Sequence, residues 1–272
     1  MTENQYLSDK IFFFNDRSNY NIRYRAHLMK SLSPQLFIDS VGWQDTLLPF
    51  VRGLLCRNSL GFSSNAKSNI LVLLLRFFPT VVLFNGLGRF SKSRFFRLLL
   101  NFLISWNRKN IIIFQNYLDY RFYRRYSRRD IFWVPGSGGV CRPYRDENRY
   151  GTVTRADKLK ICWPALSSIL SQDFLRSGEA FKIVGVESDS DSAVLCRKMD
   201  YLGYVPQDDL FKSFSIFVQL PGYGEGIPHS LVDAVVSNMR IVICKKQYIE
   251  FGFHKLGFKL AHLGGEGFGL LY

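Results

Sequence analysis

The sequence predicts an α/β protein of two domains, each built on a mostly parallel sheet. Three observations carry this. Short apolar runs recur along the chain and alternate with helix-like segments, the pattern of parallel strands joined by crossover helices. The length, 272 residues, gives room for one large domain or two modest ones with real cores. The charge divides unevenly: residues 1–150 hold 23 Lys and Arg against 9 Asp and Glu, whereas residues 151–272 hold 13 of each. A basic half beside a neutral half implies two domains with different surfaces.

In the first half, residues 10–14 (Lys-Ile-Phe-Phe-Phe) read as the opening strand and the polar residues 15–21 as its ligand-side loop. Residues 22–32 have helical spacing, with Ile22, Ala26 and Met29 on one face and Arg23, Arg25 and Lys30 between them. Residues 37–41 form a weak second strand, and 48–65 fit no single pattern. Ser63 to Ser68 reads as loop and 69–75 as helix. Residues 80–84 (Thr-Val-Val-Leu-Phe) are a buried strand after Pro79, and Asn85-Gly-Leu-Gly88 follows directly. Arg76 and Pro79 interrupt the apolar stretch 70–84, which is too short to cross a bilayer.

Residues 89–110 set Arg89, Lys92, Arg94, Arg97, Arg108 and Lys109 around a broad apolar face that ends in Trp106. Such a helix suits the surface of an anionic bilayer. A core helix whose basic ends snorkel to solvent fits the same pattern. A strand at 110–114, a basic aromatic helix to Tyr126 and a strand at 131–134 follow, closed by Pro135-Gly-Ser-Gly-Gly139. Residues 1–140 therefore read as the first domain, the polar stretch 141–157 as a linker, and 158–272 as the second domain. In that domain strands are expected at 160–163, 181–185, 200–203, 216–220 and 240–244, with a brief helix at 209–214.

Composition narrows the function. Hydrophobic residues at 47% exclude a disordered chain. Five scattered cysteines without a CxxC pair, and four isolated histidines, argue for reduced cytosolic thiols and no metal site. The start Met-Thr-Glu-Asn-Gln carries no secretory signal, so a cytoplasmic location is expected. The basic half suits a nucleic acid, an anionic membrane or a phosphorylated ligand. No helix-turn-helix, zinc-finger or RNA-binding signature accompanies it, which sets nucleic acid aside.

The most informative run is Pro221-Gly-Tyr-Gly-Glu225-Gly-Ile-Pro228-His-Ser-Leu-Val-Asp233. An apolar strand leads in, Pro and Gly force a turn, and a helix begins near Pro228, where a missing N–H costs nothing. One carboxylate lies in the loop at the strand's C-terminal end and the other on the helix. Open α/β sheets bind ligands at that edge, and amides at a helix start attract anions. A plain strand–turn–helix with solvated acids is the bland alternative.

This run resembles the Glu-x7-Glu motif of retaining glycosyltransferases with two facing Rossmann-like domains, the GT-B fold, family 4. The closest likeness is to bacterial members that build O-antigen and capsule units on a lipid carrier. The resemblance implies that Glu225 meets the donor sugar hydroxyls as the catalytic acid and that Asp233, one methylene shorter than the usual Glu, holds the nucleotide ribose. Gly224 and Gly226 then let the backbone approach the donor. His229 and Ser230 stand where the family often has Arg-Ser, with amides toward the phosphates. Asn85, Gly86 and Gly88 match a loop that lines the family's cleft. Residues 110–138 match the end of its first domain, which makes Gly136 and Ser137 ligand-side residues. Arg25, preceded by Tyr24 where relatives carry His, would face an acidic acceptor; a solvated helix charge fits equally.

Two departures bear on activity. The Arg and Lys that neutralise the departing diphosphate in the family fall on Leu166 and Ser171 here. Losing such charge-assisted donors lowers rate by on the order of 10²–10⁴. The chain also ends before the family's last helices, after residues 265–271, a worn form of its closing strand. The second domain is therefore expected to be short, with a risk of an uncovered sheet face. The resemblance implies a metal-free, cofactor-free transferase with a UDP- or GDP-sugar donor and an undecaprenyl-diphosphate-linked or saccharide acceptor. It would sit on the inner face of the cell membrane, with Arg94, Arg97 and Trp106 toward the lipid. The alternative is a degenerate transferase that serves as a binding or scaffold protein.

Overall fold

The computed structural model describes residues 10–15, 36–39, 59–64, 66–75, 79–87, 90, 93–127, 130–136, 138–145, 148–162, 180–187, 199–221, 226–262 and 267–272. The chain forms two compact units, 1–135 and 136–272.

In the first unit, six described strands form one parallel sheet in the order β2-β1-β3-β4-β5-β6. They are β1 (Lys10–Asn15), β2 (Leu36–Asp39), β3 (Ser59–Ser63), β4 (Thr80–Phe84), β5 (Ile111–Phe114) and β6 (Ile131–Trp133). The strand order reverses between β1 and β3, so the C-terminal ends of those two strands flank a topological switch point. Strand β3 lies in the stretch that the sequence left unassigned. Its Ser-Leu-Gly-Phe-Ser has little apolar signal, and pairing with β1 and β4 is what makes it extended.

Three described helices pack at the β3–β6 part of this sheet: α1 (Ala66–Leu75), α2 (Arg94–Trp106) and α3 (Tyr117–Tyr126). Ser93 caps α2 by accepting from the Phe96 amide, and Asn116 caps α3 by accepting from Leu118 and Asp119. Arg124 and Arg125 in the last turn of α3 complement its dipole. Neutral amides fasten these elements to one another. Asn69 accepts from the Ser63 hydroxyl at 2.7 Å and donates to the Leu83 carbonyl at 2.8 Å. Asn107 donates to the Leu73 carbonyl at 3.2 Å, and Asn110 accepts from the Thr80 amide at 3.0 Å. The core gathers Leu73, Val82, Phe84, Leu100, Ile104, Ile112, Phe114 and Tyr123.

In the second unit the described strands are β7 (Tyr150–Val153), β8 (Phe181–Val184), β9 (Met199–Tyr201), β10 (Ile216–Val218), β11 (Arg240–Cys244), β12 (Leu260–His262) and β13 (Phe268–Leu271). Their order is β12-β13-β11-β10-β7-β8-β9. Strands from β9 to β11 are parallel, and β13 joins β11 antiparallel. Read as β9-β8-β7-β10-β11-β13, this is the order of a dinucleotide-binding sheet, with its switch point between β7 and β10.

Two local readings change. The stretch 141–157, expected as linker, contains β7, a central strand, and the units divide earlier, after residue 135. Tyr-Gly-Thr-Val reads weakly because Gly151 sits where a Cβ would lie 2.4 Å from the Phe214 ring. Close packing, not propensity, selects that residue. Residues 156–162 are helical where a strand was expected to begin at Lys160. Leu159 and Cys162 are buried three residues apart on one face, which suits a helix and not a strand.

Both faces of the second sheet are packed. Ile216, Val218 and Val242 point into one core, and Phe217, Ile241 and Ile243 into another. The expected uncovered apolar face is not found among these described central strands. Helix α4 (His229–Val236) follows β10 with Leu231 and Ala234 in the second of these cores, and α5 (Lys245–Glu250) follows β11.

Candidate functional site

The C-terminal end of β10 is fixed by side chains from three directions. The Gln219 amide donates to the Val242 carbonyl at 2.8 Å, and its side chain donates to the Leu220 carbonyl at 2.7 Å. Gln247 on α5 donates to the same carbonyl at 3.0 Å. The Cys162 thiol, from the helical residues after β7, donates to the Pro221 carbonyl at 2.6 Å. The strand end beside the switch point is therefore held by elements that follow both of its neighbours, β7 and β11. Glu225 and Gly224 lie just beyond, outside the described residues. The chain resumes at Gly226, which is buried, and Ile227, which enters the core. Pro228 then caps α4 without a side-chain bond, and its carbonyl accepts from the Leu231 and Val232 amides. His229 and Ser230 follow, both half-buried. This places a helix N-terminus with a backbone-only cap at the switch edge, geometry suited to an anion.

Asp233 lies one turn along α4 with its side chain only 7% exposed. One carboxylate oxygen accepts from the Val140 amide at 2.9 Å, and the other from Arg142 Nε at 2.8 Å. Arg142 is itself buried and reaches on to Asp208 at 3.0 Å. Its backbone amide donates to the Ser237 hydroxyl at 2.8 Å. Gly136 (φ +72°) and Gly139 lie flat on the same helix face, where a Cβ would meet Val232 Cγ2 or Val236 Cγ2 at 2.7 Å. Residues 138–144, with Gly136 before them, thus form a strap along α4. Gly136, expected on the ligand side, is one of its contact points, and Ser137 is outside the described residues.

In the first unit Asn85 follows β4 and donates to the Ser64 carbonyl at 3.3 Å, joining the C-terminal ends of β4 and β3. Gly86 stands beside it, half-buried, while Gly88 and Arg25 lie outside the described residues. Leu166 and Ser171 lie outside them as well.

Helix α2 buries Leu100, Leu103 and Ile104 against the sheet. Its opposite face is also apolar. Phe95 (76% exposed), Leu98 (69%), Leu99, Phe102 and Trp106 form an outward stripe at helical spacing. Arg94 is exposed at one end, and Arg108 and Lys109 at the other. The Arg97 guanidinium lies 4.8 Å from the centre of the Phe122 ring on α3. Among the described residues, no helix is long and apolar enough to cross a membrane.

No group of three metal-ligating side chains occurs among the described residues. The Cys244 thiol is pushed up by burial, partly offset by the Gln247 and Lys246 amides, so it is a poor nucleophile at neutral pH. Sequence reasoning missed Arg142, Cys162 and Gln247. An Arg in a polar stretch, a scattered Cys and a Gln after a strand carry no pattern; only the assembled sheet edge gives them a role.

No protein-family profile matches the chain, and no curated protein matches it in sequence. Solved structures do. HepE of Anabaena in complex with UDP aligns with a TM-score of 0.58 at 12% identity, covering 85% of this chain and 79% of that one. The same protein with UDP and glucose aligns with a TM-score of 0.55, at the same identity and coverage. The likeness shows the fold, α/β and glycosyltransferase-like.

Proposed function

We propose that the protein is a retaining, family 4 GT-B glycosyltransferase that moves a sugar from a UDP- or GDP-sugar to a lipid-linked or saccharide acceptor in O-antigen or capsule synthesis. The observation that carries this reading is the strand end and helix start at the switch point of the second sheet, which the glycine-rich sequence 222–226 connects. A loop with Glu225 there meets the donor sugar, and the α4 amides at His229 and Ser230 receive the diphosphate. Gly224 and Gly226 allow close backbone approach. That HepE, of similar fold, was solved with UDP and with glucose supports this choice of ligand. Asn85, Gly86, Gly88, Arg25 and Ser137 belong to the acceptor side in this reading, whereas Gly136 packs against Val232 of α4, and no metal is required.

Calorimetric titration with UDP, UDP-sugars and GDP-sugars tests the proposal. Micromolar binding of one nucleotide series is expected. Absent or only millimolar binding to all of them leaves the second reading, a degenerate transferase acting as scaffold. Leu166 and Ser171 at the family's cation positions favour that second reading.

Helix α2 adds the place of action. Its outward apolar stripe, edged by Arg94, Arg108 and Lys109, suits an anionic membrane surface, where the lipid-linked acceptor would lie. The protein should sediment with anionic vesicles and not with neutral ones. Arg94→Glu combined with Arg108→Glu should release it, since each basic residue is worth about 1 kcal/mol at such a surface; Arg97, expected toward the lipid, lies instead against the Phe122 ring. Equal partitioning to both vesicle types would remove the membrane from the proposal.

A further inference from the structure

Asp233 occupies the position at which the resembling family holds the nucleotide ribose, yet both its oxygens already have partners within the chain. The two bonds differ in kind and share a purpose. Val140 brings a backbone amide of the strap, and Arg142 brings a guanidinium that is 4% exposed. One turn further, Ser237 accepts the Arg142 amide, and the Tyr144 hydroxyl donates to the Asn238 carbonyl at 3.4 Å. Val232 and Asp233 on α4 and Ser237 at its C-cap face the strap, while Val236 at the edge stays half exposed. Leu231 and Ala234 fix the opposite face in the core. A two-turn helix held on both sides cannot rotate about its axis, and its first amides keep one direction.

We propose that Arg142 and Asp233 form a buried clamp that sets the orientation of α4, and that Asp233 is a positioning residue for the diphosphate-facing helix start, not a ligand to ribose. This rests on the transferase reading for the identity of the ligand, but the clamp itself is a property of the unliganded protein. A buried, hydrogen-bonded ion pair is a suitable device for it. Removing either partner strands the other charge in a desolvated place, so the pair acts as a unit. Its geometry is directional, because Nε serves Asp233 while Nη1 serves Asp208. Lysine, with a single ammonium, does not reproduce that fork.

The experiment compares UDP with 2′-deoxy-UDP, titrated into the full chain and into Asp233→Asn, Arg142→Lys, Ser237→Ala and the Arg142→Lys/Asp233→Asn double variant. The clamp predicts that Asp233→Asn weakens both nucleotides by the same factor, roughly tenfold, since a charge-assisted bond is lost from the support and not from the ligand. Arg142→Lys should match it, and the double variant should be no worse than the weaker single. Ser237→Ala, which loosens the strap without touching either charge, should weaken both nucleotides less. If Asp233→Asn does not fold, Arg142→Lys and Ser237→Ala carry the comparison. The proposal is overturned if Asp233→Asn weakens UDP but not 2′-deoxy-UDP, or if Arg142→Lys and Ser237→Ala leave both affinities unchanged. Should the unaltered protein bind neither nucleotide, the transferase reading fails and amide exchange decides the clamp. Faster exchange at the Val140 amide in Arg142→Lys supports it, and unchanged exchange there sinks it.

Discussion

The two units share a parallel-sheet plan and fasten it with different chemistry. In the first, neutral amides do the fastening: Asn69 ties α1 to β4 through Leu83, Asn107 ties the end of α2 to α1 through Leu73, and Asn110 meets the Thr80 amide of β4. Its cations stay at the surface, around an outward apolar helix face. In the second, the charge balance is even, and a buried ion pair fixes the helix at the switch edge. One unit displays charge and apolar surface; the other uses charge internally to hold geometry.

The largest expected effect tests the second unit's edge directly. If the proposed transferase reading holds, with Glu225 on the donor sugar and not the base, Glu225→Gln should lower turnover by about 10²–10³ while nucleotide affinity stays nearly constant. Steady-state rates beside a binding titration check this. Unchanged turnover would remove the mechanistic assignment whatever the nucleotide affinity proves to be.

Next comes stability. Arg142→Ala leaves a buried carboxylate without its partner and should cost the second unit about 3–5 kcal/mol. Asp208→Asn, at the exposed end of the same network (93% exposed), should cost no more than about 1 kcal/mol. Asn69→Ala in the first unit, the loss of a neutral buried amide, should fall between them at about 1–3 kcal/mol. Urea unfolding followed separately for each unit ranks the three. Equal costs for Arg142→Ala and Asn69→Ala would erase the distinction between the two kinds of fastening.

A smaller effect belongs to the surface. Phe95→Ser with Phe102→Ser should leave stability nearly unchanged, because both rings face outward. The same pair should weaken binding to anionic vesicles, each ring contributing about 1.5–3 kcal/mol when buried in a lipid surface. A loss of stability without a loss of vesicle binding would make the stripe part of a core contact.

Much of the architecture was legible because buried parallel strands are apolar runs. Residues 80–84, 111–114, 181–184, 216–218 and 240–244 were all readable in that way. Strands β3 and β7 were not, because each carries an interior glycine and few apolar residues and is extended by its neighbours' hydrogen bonds. The helix at 156–162 was missed because four residues, Lys-Ile-Cys-Trp, suit either period. At the candidate site, the helix start was visible from Pro228. Asp233 was visible as an acid at a spacing, but its bonds to Val140 and Arg142 span more than ninety residues. A short motif has no information about a partner that distant.

The last test separates the units by the titration of their buried phenols. Tyr123 stacks on Phe114 at 5.1 Å, and its hydroxyl has no hydrogen-bond partner among the described residues. Burial raises its ionisation well above the ordinary value of 10.0, the Asp119 charge adds to the rise, and Arg97 partly opposes it. The folded state therefore keeps a proton that the unfolded chain releases. Stability from this group is complete below the unfolded value and is lost as pH climbs from there toward the folded value. Between about pH 8 and about pH 11 the first unit should lose on the order of 1 kcal/mol through this residue. Tyr123→Phe should remove that loss and cost little at neutral pH, since no bond is broken. Tyr150 in the second unit is also raised by burial, but Arg240 favours its charged form and the side chain is only half-buried. Tyr150→Phe should change the alkaline decline less. Urea midpoints of each unit at the two pH values decide it, and a larger alkaline response from Tyr150→Phe would show that the second unit, not the first, holds the more deeply desolvated phenol.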